Sequence, residues 1–482
     1  MLHCVAVHRL AFMASAIGFC AHASISQCPA DLNDDLTVDA SDLATVLAHW
    51  GGAGGDIDGD GTTSGTDLSA LVGGWGGCPV AAQRYLVSTT GGATTTAYDA
   101  TTHQAVQTWT GAAGAASVGY LRADGSLVRP TVHVGGAYPG AARGGRIQIF
   151  SANGALTSDF LVSTAQYQQH HDVRPLPNGN ILCIVWEGHT QAEGLAAGRV
   201  GLTSAIWSES ILEVRATGAT TFEIVWRWNL WDHLIQGANP DGANYGIVSD
   251  HPERVDINIG AVVGGGGGGG PVGDWIHMNS IDYSADRDEI VMSSRTLNEL
   301  LVIDHSTTTE QAATHTGGAC GKGGDILYML GNPANYGRGA SSDRRFDTVH
   351  SATWIRAGLP GAGNILCFNN GDRAGATNDY STVMEIIPPR DASGNYWIEG
   401  TAAFGPSSPT WSCGAPGQFY GGPTQCGAFR TTDNTTIITL TNSGRVFEVS
   451  AAGATLWERT GLGTGVARVP KYTQINGQWI GP

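Results

Sequence analysis

Charged side chains are scarce, 14% of 482 residues, and basic ones are nowhere gathered into a stripe. That scarcity speaks against an architecture of long solvated helices. With a net charge of -17, it also makes nucleic acid a poor partner. Beyond the N-terminal two dozen residues, no apolar run approaches the roughly 20 residues that a transmembrane helix needs, so no membrane insertion is expected. Residues 24–80 lack Lys and Arg altogether and hold nine Asp, so -9 of the charge sits in one short stretch.

What is present begins with a basic start (His8, Arg9), an apolar run from Leu10 to Cys20 and an A-x-A cleavage site at Ala21-His22-Ala23. Residues 1–23 therefore read as a secretory signal. The chain is expected to be exported, to the periplasm, the cell surface or the outside. Bulky Phe19 before Cys20 argues against a lipoprotein signal. In such an oxidising setting the nine cysteines matter. Cys28 and Cys78 bracket the acidic stretch as one candidate disulfide, and Cys413 and Cys426 flank a glycine-rich loop as a second. Cys183 and Cys367 sit in matching strand patterns and read as buried thiols. Cys320 has no assignment.

The acidic stretch is a duplication. Asp31, Asn33, Asp35, Thr37, Asp39 and Asp42 recur, 25 residues on, as Asp56, Asp58, Asp60, Thr62, Ser64 and Asp67. Oxygen ligands at positions 1, 3, 5, 7, 9 and 12 of a twelve-residue loop suit a large hard cation, Ca²⁺. Each loop runs into a short amphipathic helix, Leu43 to Trp50 and Leu68 to Trp75. Residues 28–79 resemble a type I dockerin, with Asp at position 12 of both loops. The resemblance implies structural Ca²⁺ and docking to a cohesin-like partner. A calcium-stabilised cap is the other use of such a pair. Leu36 stands at the sixth position, where the turn prefers the glycine seen at Gly61, so the first loop is expected to bind more weakly.

From residue 84 to 482, short β-branched or aromatic runs alternate with Gly, Asn and Asp turns. Seventy glycines in all suit many tight turns. Gly-Asn-Ile-Leu-Cys occurs twice, at Gly179 and Gly363. Recurrent hairpins over this length point to an all-β fold, a β-propeller of six to eight blades, with a β-helix or two sandwiches as alternatives. Two glycine motifs carry no chemistry. Gly317 to Gly323 lacks P-loop spacing, and the seven glycines at 264–270 read as an insert. One hairpin, around Tyr98-Asp99 and Trp109, is similar to quinoprotein blades.

Polar clusters beside strand signals are the candidates for chemistry: His170-His171-Asp172; Asp274-Trp-Ile-His277-Met-Asn279; Ser293-Ser-Arg295; and His350 ahead of Asn364-Ile-Leu-Cys-Phe-Asn-Asn370-Gly-Asp372. His277 and Asn279, two apart on a strand, would share one face. Histidines, an amide and an arginine converging on a channel could hold a tetrahedral oxyanion and act as acid, base or nucleophile. Spacing alone leaves catalytic and structural readings of each histidine open.

In their order and spacing from about residue 145 to 457, these clusters resemble the bacterial arylsulfotransferase family. Gly331-Asn-Pro and Gly444-Arg-Val-Phe-Glu-Val also fit. The resemblance implies a six-bladed β-propeller with its site in the axial channel. It implies transfer of a sulfuryl group from a phenolic sulfate donor to a phenol acceptor through a sulfated histidine, without a cofactor. By motif, His350 is the nucleophile and His277, Asn279 and Arg295 bind sulfate. His170 or His171 assists the phenol oxygen, with His171 favoured. Val349 and Ser351 depart from the Gln and Asp frequent in relatives. The alternatives are a non-catalytic propeller that binds a sulfated glycan or protein, displayed through the dockerin-like module, and, more remotely, a quinoprotein-like oxidoreductase.

Overall fold

The computed structural model describes residues 28–33, 37–77, 81–138, 140, 142–264, 272–371 and 379–482. It divides the chain into two compact units, residues 1–79 and 80–482. The expected signal, Cys78, Asp35, Leu36, Asp372 and most of the seven-glycine run lie outside the described residues. Among the described residues no helix is long and apolar enough to cross a membrane.

Among the described residues the larger unit forms six blades, four of them four-stranded, the first extended to five strands and the third to six. The first takes its outer three strands from Gln83–Ser88, Thr94–Asp99 and Ala105–Thr110. Its innermost strand comes from the far end of the sequence, where Lys471–Ile475 pairs antiparallel with Gln83–Ser88. The pairing extends inward, since Ala467 N–H donates to Ser88 O and Leu86 N–H to Pro470 O. Blade two runs outward from Tyr120–Leu121 to Leu156–Leu161, and blade three from Tyr167–Pro175 to Phe222–Asn229. Blade four begins at Met278–Ser284, blade five at Val349–Trp354 and blade six at Gly427–Arg430.

The repeated pentapeptide marks equivalent places. Gly179 and Gly363, at φ 88° and 82°, occupy backbone that only glycine adopts without strain. Each turns the chain into the second strand of its blade, Ile181–His189 and Ile365–Asn369. The following Asn180 and Asn364 then donate to Glu213 and Glu385 on the third strands. Cys183 and Cys367 are buried free thiols, as their strand positions suggest.

Neighbouring blades are clamped near the axis by side chains that accept backbone N–H groups across the gap. Asp172 accepts from Ile281, Asp282 from Trp354, Ser280 from Ala352 and Thr439 from Val469. Each clamp satisfies an inner-strand amide that the blade's own ladder leaves over.

The expected Cys413–Cys426 disulfide is absent, and both thiols are free. Cys413 ends the outermost strand of blade five, Trp411–Cys413, whereas Cys426 precedes the innermost strand of blade six and donates to Gly421 O. They lie at opposite radial ends, beyond the reach of an S–S bond. Cys28 is disulfide-bonded.

In the smaller unit the helices are Ala40–Ala48 and Gly65–Gly73, each starting three residues before the expected leucine. The cause is capping. Asp39 and Ser64 are N-caps, and Asp42 and Asp67, at N3, accept the cap N–H in return. The helices end before Trp50 and Trp75, at His49 and Gly74. Val38, Val46 and Leu71 form a small core.

Candidate functional site

An enclosed cavity of about 10 Å³, room for roughly one water, is lined by Ser117, Ala142, His171, Asn279, His350, Gln425 and Arg468, among others. These residues come from all six blades, which places the cavity on the axis. His171 and His350 reach it from blades three and five, while His277 of blade four packs against His171 without lining it. All three stand at breaks in the inner-strand ladders. The register shifts between Gln169 and Val173, Met278 and Ser280, and His350 and Thr353. His171, His277 and Ser351 sit at φ 48°, 53° and 57°. Non-glycine residues are held in that region only where surrounding structure imposes it, and bulges of this kind re-aim side chains. Simple strand alternation therefore does not govern where His277 and Asn279 point.

His350 is held by its Nδ1, 2.8 Å from Asn370 Oδ1 and 2.9 Å from Thr348 O. Both partners are acceptors, so Nδ1 carries the proton and Nε2 keeps its lone pair. That lone pair takes the N–H of Gln425 at 3.2 Å. Burial pushes the imidazole down to about 3, despite its two acceptors, and the nearby Arg295 charge adds to the shift. His350 is thus a neutral imidazole with a fixed tautomer.

The two histidines of blade three separate cleanly. His171 lines the cavity. His170 is fully buried behind it, stacked on Trp186 at 4.0 Å. Its Nδ1 lies 2.7 Å from His171 Nδ1, and its Nε2 is 2.8 Å from Glu209 Oε2. Burial drives Glu209 well above the carboxylate range and both imidazoles well below theirs, with His277 next in effect. Glu209 is then the acid of the chain. It donates to His170 Nε2, His170 Nδ1–H donates to His171 Nδ1, and His171 carries its proton on Nε2.

His277 packs edge-on against His171, ring centres 4.6 Å apart. Its Nδ1 is 2.5 Å from Asp274 Oδ2, so the carboxylate orients the ring as in a His–Asp dyad. Asn279 braces the neighbouring blade, with Nδ2 donating to Val349 O at 2.8 Å and Oδ1 accepting from Ser293 Oγ at 2.5 Å. One amide hydrogen is left over. Arg295 does not line the cavity, and its Nε donates to Pro423 O at 3.3 Å.

The cavity's own cation is Arg468, on the closing strand. It is 5% exposed and ion-paired to Asp172 Oδ2 at 2.5 Å. Nη2 is the nitrogen held by Asp172, while Nη1 is buried with no hydrogen-bond partner among the described residues. Sequence reasoning missed Arg468 because Val-Ala-Arg-Val-Pro carries no motif and lies past the resembling segment. Glu209 was equally silent. Asp274 and Asn370 stood inside the quoted motifs without assigned roles.

In the smaller unit Asp56, Asp58 and Asp60 bring ligand oxygens within 4.8 Å of one another. Gly61 turns the loop at φ 92°, and Asp67 Oδ1 accepts from Ile57 N–H. This donor set fits a hard cation. Asp31, Asn33, Asp39 and Asp42 belong to the first loop, where Asp42 accepts from Leu32 N–H.

No curated protein matches the sequence. Among solved structures, it resembles the periplasmic gluconolactonase PpgL of Pseudomonas aeruginosa, at 13% identity and TM-score 0.41 over 81% of this chain and 98% of that one. A protein of unknown function from Bacteroides caccae stands at 10% and 0.41, over 80% and 98%. The Cps50 (Swd1) propeller domain of Myceliophteria thermophila stands at 9% and 0.40, over 83% and 94%. Likenesses this distant say nothing about activity. The family model for arylsulfotransferase (ASST), by contrast, matches residues 137–387, just over half of the chain and the span that holds His171, His277, Asn279, Arg295 and His350, and the chain belongs to that family.

Proposed function

We propose that the protein transfers a sulfuryl group from a phenolic sulfate ester to a phenol by way of His350 Nε2. The observation that carries this reading is the tautomer of His350. A buried neutral imidazole, its proton pinned on Nδ1, presents its other nitrogen beside an axial cavity that holds a guanidinium and a second imidazole. In the first step Nε2 attacks sulfur and the S–O bond to the donor aryl oxygen breaks. His171 Nε2–H gives its proton to the departing phenolate. Its Nδ1 meanwhile takes the His170 Nδ1 proton, and His170 Nε2 takes that of Glu209, which is left as a carboxylate. In the second step His171 takes the acceptor phenol's proton, the phenol oxygen attacks sulfur and the N–S bond breaks, and the protons return along the same chain. Arg468, Arg295 and the spare amide hydrogen of Asn279 are the groups available to the equatorial oxygens. Electrostatic stabilisation of such oxygens dominates group transfer of this kind.

One observation favours the non-catalytic alternative. The cavity is too small for a sulfate, and the Gln425 amide occupies the lone pair of His350. Turnover therefore requires the 421–425 loop to withdraw. Incubation with a chromogenic phenyl sulfate and a second phenol decides the matter. Release of the donor phenol with a sulfated acceptor is expected, lost in His350→Ala. Free sulfate without sulfated acceptor would make the protein a hydrolase. Binding of sulfated ligands without turnover would support the alternative.

For the smaller unit we propose two calcium sites and docking through a dockerin-like surface on an exported protein. Calcium titration should fill the Gly61 loop before the Leu36 loop. The half-exposed Trp50 and Trp75, at matching places after each helix, offer a duplicated apolar face to a cohesin-like partner.

A further inference from the structure

Far from the cavity residues in sequence, His233, His315 and Asp325 converge on a point that the sulfuryl chemistry does not use. His233 ends the turn Leu230–His233 that follows blade three. His315 and Asp325 bracket the glycine-rich loop set between the third and fourth strands of blade four. His233 Nδ1 lies 2.8 Å, and His315 Nδ1 2.7 Å, from the same oxygen, Asp325 Oδ1. The three ligand atoms lie within 4.8 Å of one another.

His233 Nε2 is 2.9 Å from Ala312 O, and a carbonyl only accepts, so Nε2 carries a proton and Nδ1 is the nitrogen that faces the carboxylate. Either a proton or a cation stands between Nδ1 and Asp325. The backbone is also shaped to the ring. A Cβ on Gly324 would lie 2.6 Å from His233 Nε2 and 2.0 Å from Ala312 O. Trp228 stacks parallel to His233 and donates to Gly324 O at 2.7 Å. His233 and Asp325 are buried, while the His315 side chain is 44% exposed and gives an ion a way in.

We propose that His233 Nδ1, His315 Nδ1 and Asp325 bind a divalent transition-metal ion of the zinc class, which fixes the glycine-rich loop to the end of blade three. Two imidazoles and a carboxylate suit zinc and its neighbours, not calcium or magnesium. With bonds of about 2.0–2.1 Å, ligands around such an ion stand roughly 3.3 Å apart, so binding would open the present contacts by about half an ångström. Water would complete the coordination.

The test uses the full chain, stripped with a chelator and returned to excess Ca²⁺ so that the acidic loops are filled. Zn²⁺ is titrated by calorimetry, and Co²⁺ is followed by its visible absorption. Wild type should take up one tight equivalent of Zn²⁺ and give a low-symmetry Co²⁺ spectrum. In His315→Ala, at an exposed position, affinity should fall by more than the ~10–100-fold that losing a supporting outer partner costs, with the circular dichroism unchanged. Asp325→Asn should lose the Co²⁺ spectrum. Uptake equal in wild type and His315→Ala would assign the metal to the axial histidines and overturn the proposal. So would no uptake by wild type, which would leave the contacts of His233 and His315 with Asp325 as hydrogen bonds alone.

Discussion

Arg468 is the residue whose replacement is most informative after the nucleophile. Its charge belongs to the cavity, yet Asp172 shares it. Removing the guanidinium alone strands a buried carboxylate at about 3–5 kcal/mol of stability. Arg468→Met should therefore be made with Asp172→Asn, where kcat/KM for an aryl sulfate is expected to drop about 10- to 100-fold with the fold retained. An unchanged kcat/KM would leave sulfate to Arg295. The pH profile should bear the mark of His350. With its pKa held near 3 by burial, the rate should not fall through nucleophile protonation between pH 7 and 5, where an ordinary histidine would titrate. A loss of kcat/KM with an apparent pKa near 6.5, restored in no variant of His277, would contradict a desolvated nucleophile. Asn279 and His350, which line the cavity, were legible in the sequence because motif order marks them, and the same order marked His277 and Arg295, which do not line it. Which of His170 and His171 faces the cavity was not legible, since a bulge decides it. Arg468 and Glu209 act only through the closure and packing of blades, which no local spacing records.

Strands and their clamps set the next scale. Hairpin spacing and the repeated Gly-Asn-Ile-Leu-Cys made the blades visible, and the twin Asn–Glu bonds of Asn180 and Asn364 explain the repeat physically. The Cys413–Cys426 expectation failed because proximity in sequence across a blade junction runs from the outer edge to the axis. Inter-blade clamps were invisible, being single polar side chains on buried strands. Their energetic weight can be measured. Asp282 pairs with Arg174 at 2.7 Å and accepts the Trp354 amide at 2.8 Å, all deeply buried. Asp282→Ala should lower urea-unfolding stability by about 3–5 kcal/mol. Asp159→Ala breaks the half-exposed pair with Arg146 and should cost about 1 kcal/mol or less. Equal losses would mean the clamps are no stronger than surface pairs.

For the whole molecule, buried titratable groups predict a stability dome. His170, His171 and His350 are held below their ordinary range by burial. Below about pH 6.5 the unfolded chain binds protons that the folded one refuses, so stability falls with pH by up to about 1.4 kcal/mol per unit for each. Glu209, and Glu299 at about 8, are raised by burial. Their contribution is full below about 4.5 and fades as pH rises, a partial offset on the acid side. Burial opposes the charge of His305, but Asp288 and Glu213 lift it to about 9. Its stabilisation is complete below about 6.5 and lost toward 9. Above 6.5 only losses remain, so the melting temperature should peak near that pH in scanning calorimetry. A continued rise to pH 9 would refute the assignment. Ring closure gives the last consequence. Since 466–475 supply both the innermost strand of the first blade and Arg468, a ribosome must have read past the other five blades and this strand before the cavity can exist. Competence therefore arrives in a single late step, and a nascent chain stalled or cleaved short of Val466 is silent toward its substrate however well its other five blades have formed.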